Sequence, residues 1–156
     1  MNLEQISSRT IVRAPRSCRL REAAEMMRRH HVGALIVTDD EPHDGNAIGI
    51  VTDRDLVLQA MAEGIGPDEA TLADVMTEGL ATIEQGAEIQ AAIKTMRDNG
   101  VRRLGVKADG GALVGVVAFD DLVAALAAQF TYLAGIIQNE RAREIEQSTE
   151  VPLLAL

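Results

Sequence analysis

Two stretches of the chain carry apolar residues at helical spacing. Leu20, Ala23, Ala24 and Met27 line one face of LREAAEMMRRH, and Ile89, Ala92, Ile93 and Met96 do the same in EIQAAIKTMRDNG. Each stretch predicts an amphipathic helix, with Met27 and Met96 in the core. After each helix the pattern changes to two near-continuous apolar runs, GALIV then AIGIV, and RLGV then ALVGVV. Separated by turn-rich loops, these runs predict strands of a small sheet covered by helices. Residues 10–12 and 79–82 read as short extended pieces ahead of the helices. A further helix follows TDRD, roughly over 53–62, and another opens at FDD. Each half therefore reads as β-α-β-β-α, an α/β (α+β) architecture.

The halves superpose as sequences. A shift of 69 residues carries Leu3, Ile6, Ile11, Leu20, Ala23, Met27, Val32, Leu35 and Val37 onto Leu72, Val75, Leu80, Ile89, Ala92, Met96, Val101, Leu104 and Val106. Beyond the loop DDEPHDGNAIG the shift becomes 66, so Gly49 meets Gly115 and Asp55 meets Asp121. A length change confined to such a loop is what a duplication tolerates. Halves of this size do not easily build a core alone, so they are expected to pack about a pseudo-twofold axis. The expected organisation is a first domain over 1–68, a second over 69–128 and a helical extension with tail over 129–156. Leu122, Leu126, Phe130, Leu133 and Ile137 form an apolar stripe on that extended helix. A second copy is the favoured cover, and a fold back onto its own domain is the rival.

Composition narrows the choices. An apolar fraction of 47% with 25% charged residues describes a soluble globular chain. Phe119, Phe130 and Tyr132 are its aromatic residues, too few for base-stacking platforms, and a net charge of -9 opposes nucleic-acid binding. Cys18 is the single cysteine, read as a small filler in a reducing compartment. No secretory leader is visible, and residues 122–137 fall short of a membrane span. These features point to the cytoplasm, without a membrane partner.

The chemistry concentrates in GIVTDRDL (49–56) and its counterpart GVVAFDDL (115–122). An aspartate at a helix start can accept hydrogen bonds from a vicinal diol, and free backbone N–H groups there suit phosphate. Thr52 and Asp55 are equally a capping box that needs no ligand, and the two roles are compatible. Ala118 lacks the hydroxyl, Phe119 is large, and Asp120 with Asp121 adds negative charge, so the second copy is expected to be weak or altered. Arg102 and Arg103 are candidates for an anion contact across the central cleft, or solvated arginines. Arg28, Arg29, His30 and His31 suit a helix C-terminus. Asp39, Asp40, Glu41 and Asp44 read as a polar hairpin loop that also holds His43. No metal site, P-loop or catalytic triad emerges.

The duplicated halves, with LREAAEMM, GALIVTDD and GIVTDRDL in the first and GVRRLGV and GVVAFDDL in the second, resemble the cystathionine-β-synthase (CBS) domain pair over nearly all of residues 3–123. The resemblance implies a regulatory module that binds an adenosyl ligand: AMP, ADP, ATP, NAD(H) or S-adenosylmethionine. Carried over by motif position, Asp55 grips the ribose, Thr52 lies by the phosphate and Arg54 adds an anion contact. Backbone around Arg13, Ala14 and Pro15, with Ala34 and Ile36, encloses the base, and Asp121 marks the second site. Gly105 departs from the family pattern, where proline is common. The long terminal helix resembles that of small stand-alone members, where it contributes to a dimer. The expected protein is a homodimeric, non-catalytic sensor that controls assembly or a protein partner. The alternative is a structural interaction module with vestigial sites, and a less favoured third reading is an enzyme that uses the nucleotide as substrate.

Overall fold

The computed structural model describes residues 1–40 and 46–149. Glu41, His43 and Asp44, read above as loop residues, lie outside the described residues. The first half supplies β1 (Arg13–Pro15), α1 (Leu20–His30), β2 (Ala34–Thr38), β3 (Ala47–Thr52) and the single turn α2 (Asp53–Asp55). The second supplies α3 (Leu72–Val75), β4 (Thr77–Glu78), β5 (Thr82–Glu84), α4 (Ile89–Asn99), β6 (Arg103–Lys107), β7 (Leu113–Ala118) and α5 (Phe119–Thr149). Two sheets result, in the orders β1-β2-β3-β4 and β5-β6-β7. In each, the first strand runs parallel to the second and the second antiparallel to the third. The expected β-α-β-β-α repeat is what the chain forms.

Three expectations are corrected in detail. The leading strands begin later than expected, the first just past residues 10–12 and the second at the last residue of 79–82, because the parallel ladder begins where Arg13 meets Ile36 and Thr82 meets Gly105. Ala24 and Ile93 are exposed, so the buried stripe of each helix narrows to Leu20, Ala23, Met27 and to Ile89, Ala92, Met96. The helix expected over 53–62 changes character after Asp55. Residues Leu56–Met61 are π-helical, and hydrogen bonds span five residues from Ala62 N–H to Val57 O and from Ile65 N–H to Ala60 O.

The lead-in segments of the two halves are exchanged. Leu72 N–H donates to Cys18 O and Ala73 N–H to Arg16 O, while Leu3 N–H donates to Ala87 O and Glu4 N–H to Gln85 O. These are the same bonds displaced by 69 residues. Farther along, Thr77 pairs with Ile50, and Ser8 pairs with Val116 at the equivalent place. Leu72 and Val75 thus complete the first half's core with Leu20, Ala23, Met27, Leu35, Val37 and Val51. Each half supplies a segment that finishes the other, which removes the difficulty of building two small cores separately.

Cys18 sits in that first core, 5% exposed. Burial, then the nearby Glu22 carboxylate, pushes its thiol up to about 11. It is the buried filler that the sequence suggested.

Residues 1–119 form one compact unit and residues 120–156 a second. Through Thr149 the second unit is continuous helix. Of its stripe, Leu122 is buried and Leu126 half-buried, whereas Phe130 at 71%, Leu133 at 57% and Ile137 at 56% are exposed. By length and composition alone, Phe119–Ser148 is long and apolar enough to cross a membrane. The sequence reading, confined to 122–137, took it as too short.

Candidate functional site

β3 ends at Thr52, whose extended backbone (φ -115°, ψ 162°) makes it the N-cap of the following turn. The Thr52 N–H and hydroxyl both donate to Asp55 Oδ2, at 2.8 and 2.7 Å, and Asp55 N–H returns a bond to Thr52 Oγ1 at 3.2 Å. Asp53 N–H donates to Gly33 O, and Arg54 N–H to Asp53 Oδ1. The free backbone N–H groups expected here for phosphate are therefore already occupied, because short acidic side chains at a turn start satisfy the local donors themselves. Asp55 Oδ1 accepts no hydrogen bond among the described residues. Half-buried beside an occupied Oδ2, it is the acceptor that this carboxylate still offers.

Strand register decides which other residues share this face. Ala34 pairs with Thr52, Ile36 with Ile50, and Arg13 with Ile36. These residues alternate with Leu35, Val37 and Val51, which point into the helix-covered core. Arg13, Ala34 and Thr52 thus lie on the opposite face of the first sheet. Ile36, on that face too, is only 2% exposed. Ala14 is buried and its carbonyl accepts from Thr38 Oγ1 at 3.4 Å, whereas Arg13 and Pro15 are exposed. Arg54 is exposed on the turn after Thr52.

The second half reaches toward this turn through Arg103. A Cβ at Gly33 would lie 3.2 Å from Arg103 Nη2 and 3.3 Å from Asp53 Oδ2. The missing side chain lets a guanidinium from β6 and a carboxylate from α2 approach the same spot from different halves. Sequence reading named Arg103 but passed over Gly33 and Asp53. The repeat held the clue, since Gly33 is the counterpart of Arg102. Arg102 itself stacks over the Phe119 ring, 5.3 Å from its centroid, while its carbonyl accepts from Phe119 N–H. Asp121 belongs to the first turn of α5, in the second unit.

Among the described residues, cavities lie elsewhere. One of about 510 Å³ is an apolar groove between α1 and the π-helical segment, lined by Leu20, Ala24, Leu56 and Met61 among others. Another, about 390 Å³, lies between the halves near Arg13 and Lys107. Neither is lined by Thr52 or Asp55. Among the described residues no group of three or more His, Cys, Asp or Glu side chains could hold a metal ion.

Comparison with known proteins gives this geometry a context. The family model described as the CBS domain matches residues 3–61 and 72–128. An uncharacterized protein of Methanopyrus kandleri is 38% identical over 104 residues, which cover 65% of this chain and half of that protein's length. A conserved CBS-domain protein of unknown function from Thermoplasma acidophilum superposes with a TM-score of 0.71 at 24% identity, over 80% of this chain and 68% of the other. A CBS-domain protein from Pyrobaculum aerophilum, solved in complex with AMP, gives a TM-score of 0.69 at 22% identity, over 82% of this chain and 99% of the other.

Proposed function

This chain belongs to the CBS-domain family, and from that premise we propose that it senses an adenosyl ligand in the cleft beside Thr52 and Asp55. CBS domains are regulatory, non-catalytic modules, and proteins of the family bind adenosyl ligands, AMP in the Pyrobaculum complex. The observation that carries the reading here is the approach of Arg103 from the second half to Gly33, beside the turn that holds Asp55. A ligand with a ribose and a phosphate would take Asp55 Oδ1 on its hydroxyl and Arg103 on its charge, with Arg54 at the exposed rim. Ala34 and the backbone near Arg13 to Pro15 would border the base.

The occupied capping box sets a condition on this role. The Thr52 hydroxyl can reach a phosphate only by giving up its bond to Asp55 Oδ2. Ligand entry would then exchange an internal hydrogen bond for one to the ligand, and Asp55 Oδ2, still held by Thr52 N–H, would gain an acceptor position for a second ribose hydroxyl. Because the liganded arrangement spans both halves, binding would favour one relative placement of them and so control assembly or a protein partner. The second copy, with Ala118 for Thr52, would bind weakly or not at all.

The test is calorimetric titration of refolded, nucleotide-free protein with AMP, ADP, ATP, NADH and S-adenosylmethionine, beside Asp55→Ala and Arg103→Gln. Saturable binding of one ligand per chain, weakened about tenfold or more in both variants, is the expected result. Absence of binding across the panel would move the assignment to a structural interaction module. The exposed stripe on α5 specifically favours that second reading. CBS-domain proteins also form oligomers, and we read the stripe as the seam of a homodimer.

A further inference from the structure

We propose that the cavity between the halves at the hairpin end of β3 is a second, separate site, which binds a small phosphate-bearing anion. Asn46 and Ala47 line it at the start of β3, whereas Thr52 ends that strand. Five strand residues, on the order of 17 Å at ~3.3 Å each, separate the two places. The cavity measures about 390 Å³ and brings together Arg13 from β1 and Lys107 from β6, with Thr82, Asn46, Leu80 and Leu113. It falls within the range of small-ligand pockets, about 300–1,000 Å³, at the lower end.

Charge makes the case. The chain has 24 acidic and 15 basic residues, yet among the described residues no carboxylate lines this cavity and two cations do. Neither Arg13 nor Lys107 enters an ion pair among the described residues. Glu84, the cross-strand neighbour of Lys107, is exposed and does not pair with it. Arg13 reaches across to the other half, where Nη2 donates to Leu113 O at 3.5 Å. That long bond leaves most of the guanidinium fork available. Repeat symmetry does not explain the pairing of cations, because the counterpart of Arg13 is Thr82 and that of Lys107 is the buried Thr38. Two like charges held in one recess repel unless an anion lies between them. A phosphate group accepts from a guanidinium fork and an ammonium together, while the Thr82 hydroxyl and Asn46 amide can orient it. Leu80 and Leu113 provide an apolar wall for a small carbon skeleton.

The phosphate could be free diphosphate or part of a nucleotide, and two titrations of the full chain at fixed ionic strength separate these sources. Pyrophosphate is expected to bind saturably. Lys107→Gln should weaken it about tenfold or more, Lys107→Arg should restore most of the affinity, and Arg103→Gln should change it by less than about threefold. Thermal unfolding of each variant without ligand checks that the cavity is still built. In the AMP arm, a single binding event unchanged by Lys107→Gln assigns the recess to free anions, and a second event lost with Lys107→Gln but kept with Arg103→Gln assigns it to a nucleotide's phosphate. The proposal is overturned if pyrophosphate shows no saturable binding, or if its affinity falls with Arg103→Gln and not with Lys107→Gln. It stands or falls independently of adenosyl binding beside Thr52.

Discussion

Gly49→Ala tests the exchange of lead-in segments at its tightest point. A Cβ at Gly49 would lie 2.5 Å from the carbonyl oxygen of Thr77 and 3.2 Å from Met76 Sδ. The oxygen is backbone and cannot swing aside as a side chain could. The least costly relief is for the two-residue strand β4 to lift away, losing its pairing at Gly49–Glu78 and Ile50–Thr77 and the bond from Gly79 N–H to Ile48 O. With each hydrogen bond worth about 1 kcal/mol net, and overpacking about 1–3 kcal/mol, the expected loss is about 2–3 kcal/mol. At about 2–4 °C per kcal/mol for a chain of this size, Tm should fall by about 4–12 °C. Gly115→Ala is the repeat-related variant, with its Cβ 2.9 Å from Ser8 O, and should cost somewhat less. Gly110→Ala is the control, since nothing lies within 4 Å of its added Cβ. Urea denaturation followed by far-ultraviolet circular dichroism, at one protein concentration, should rank the losses Gly49, then Gly115, then Gly110. A Gly49→Ala stability within about 0.5 kcal/mol of the Gly110→Ala value would refute the crossing of β4 over Gly49.

Thr52→Ala removes the hydroxyl half of the capping box and should cost about 1 kcal/mol in urea denaturation without ligand, whereas Thr52→Ser should cost little; equal stability of all three proteins would mean the box does not hold the turn. Raising the Cys18 thiol from 9.0 to about 11 means that its contribution to stability is complete at neutral pH and declines as pH rises from 9.0 toward 11. Urea midpoints of the parent should therefore fall over that window relative to Cys18→Ala, and parallel pH curves would contradict the burial. Replacing Phe130 and Leu133 on α5 by Lys should lower the mass measured by light scattering from dimer to monomer; a monomeric parent would refute the dimer, and a parent that sediments with lipid vesicles would reassign the stripe to a membrane surface.

The sequence made the repeat legible because core positions obey simple rules. Leu20, Ala23 and Met27 recur at helical spacing with Ile89, Ala92 and Met96, and all six are buried. α1 and α4 end on the equivalent left-handed residues His31 (φ 53°) and Gly100 (φ 64°), so even the helix stops repeat. The exchange of lead-in segments was not legible. α3 and β4 are too short to leave a periodicity, and nothing local to Leu72 tells which half's core receives it. The π-helical turn was hidden for a related reason: LVLQAM suits an ordinary helix, and the widening appears only in bonds such as Ala62 N–H to Val57 O. At the site, the motif identified Thr52 and Asp55 and their capping box, but not that the Asp53 side chain and the Gly33 carbonyl take up the remaining nearby N–H groups. Arg103 was recognised as a candidate, while Gly33 had no chemistry to advertise. Its contribution is the space it leaves.

The repeat also separates what the scaffold requires from what the cleft chooses. Gly49 and Gly115 agree, as do Leu3 and Leu72, because each pair answers the same steric or packing demand in both halves. Arg13 and Gly33, which approach the other half, have unlike counterparts in Thr82 and Arg102, and Thr52 and Lys107 likewise differ from Ala118 and Thr38. A purely structural module would have little reason to place its differences there, since a face shared across a pseudo-twofold axis packs as well with matching residues. The disagreements instead give each cleft its own hydrogen-bonding and charge pattern. Beside Gly33 an arginine of the second half and the Asp53 carboxylate approach the same spot, and the recess near Lys107 has two cations. Two places so different cannot select the same ligand equally, so one ligand should occupy this chain at one site per copy rather than two.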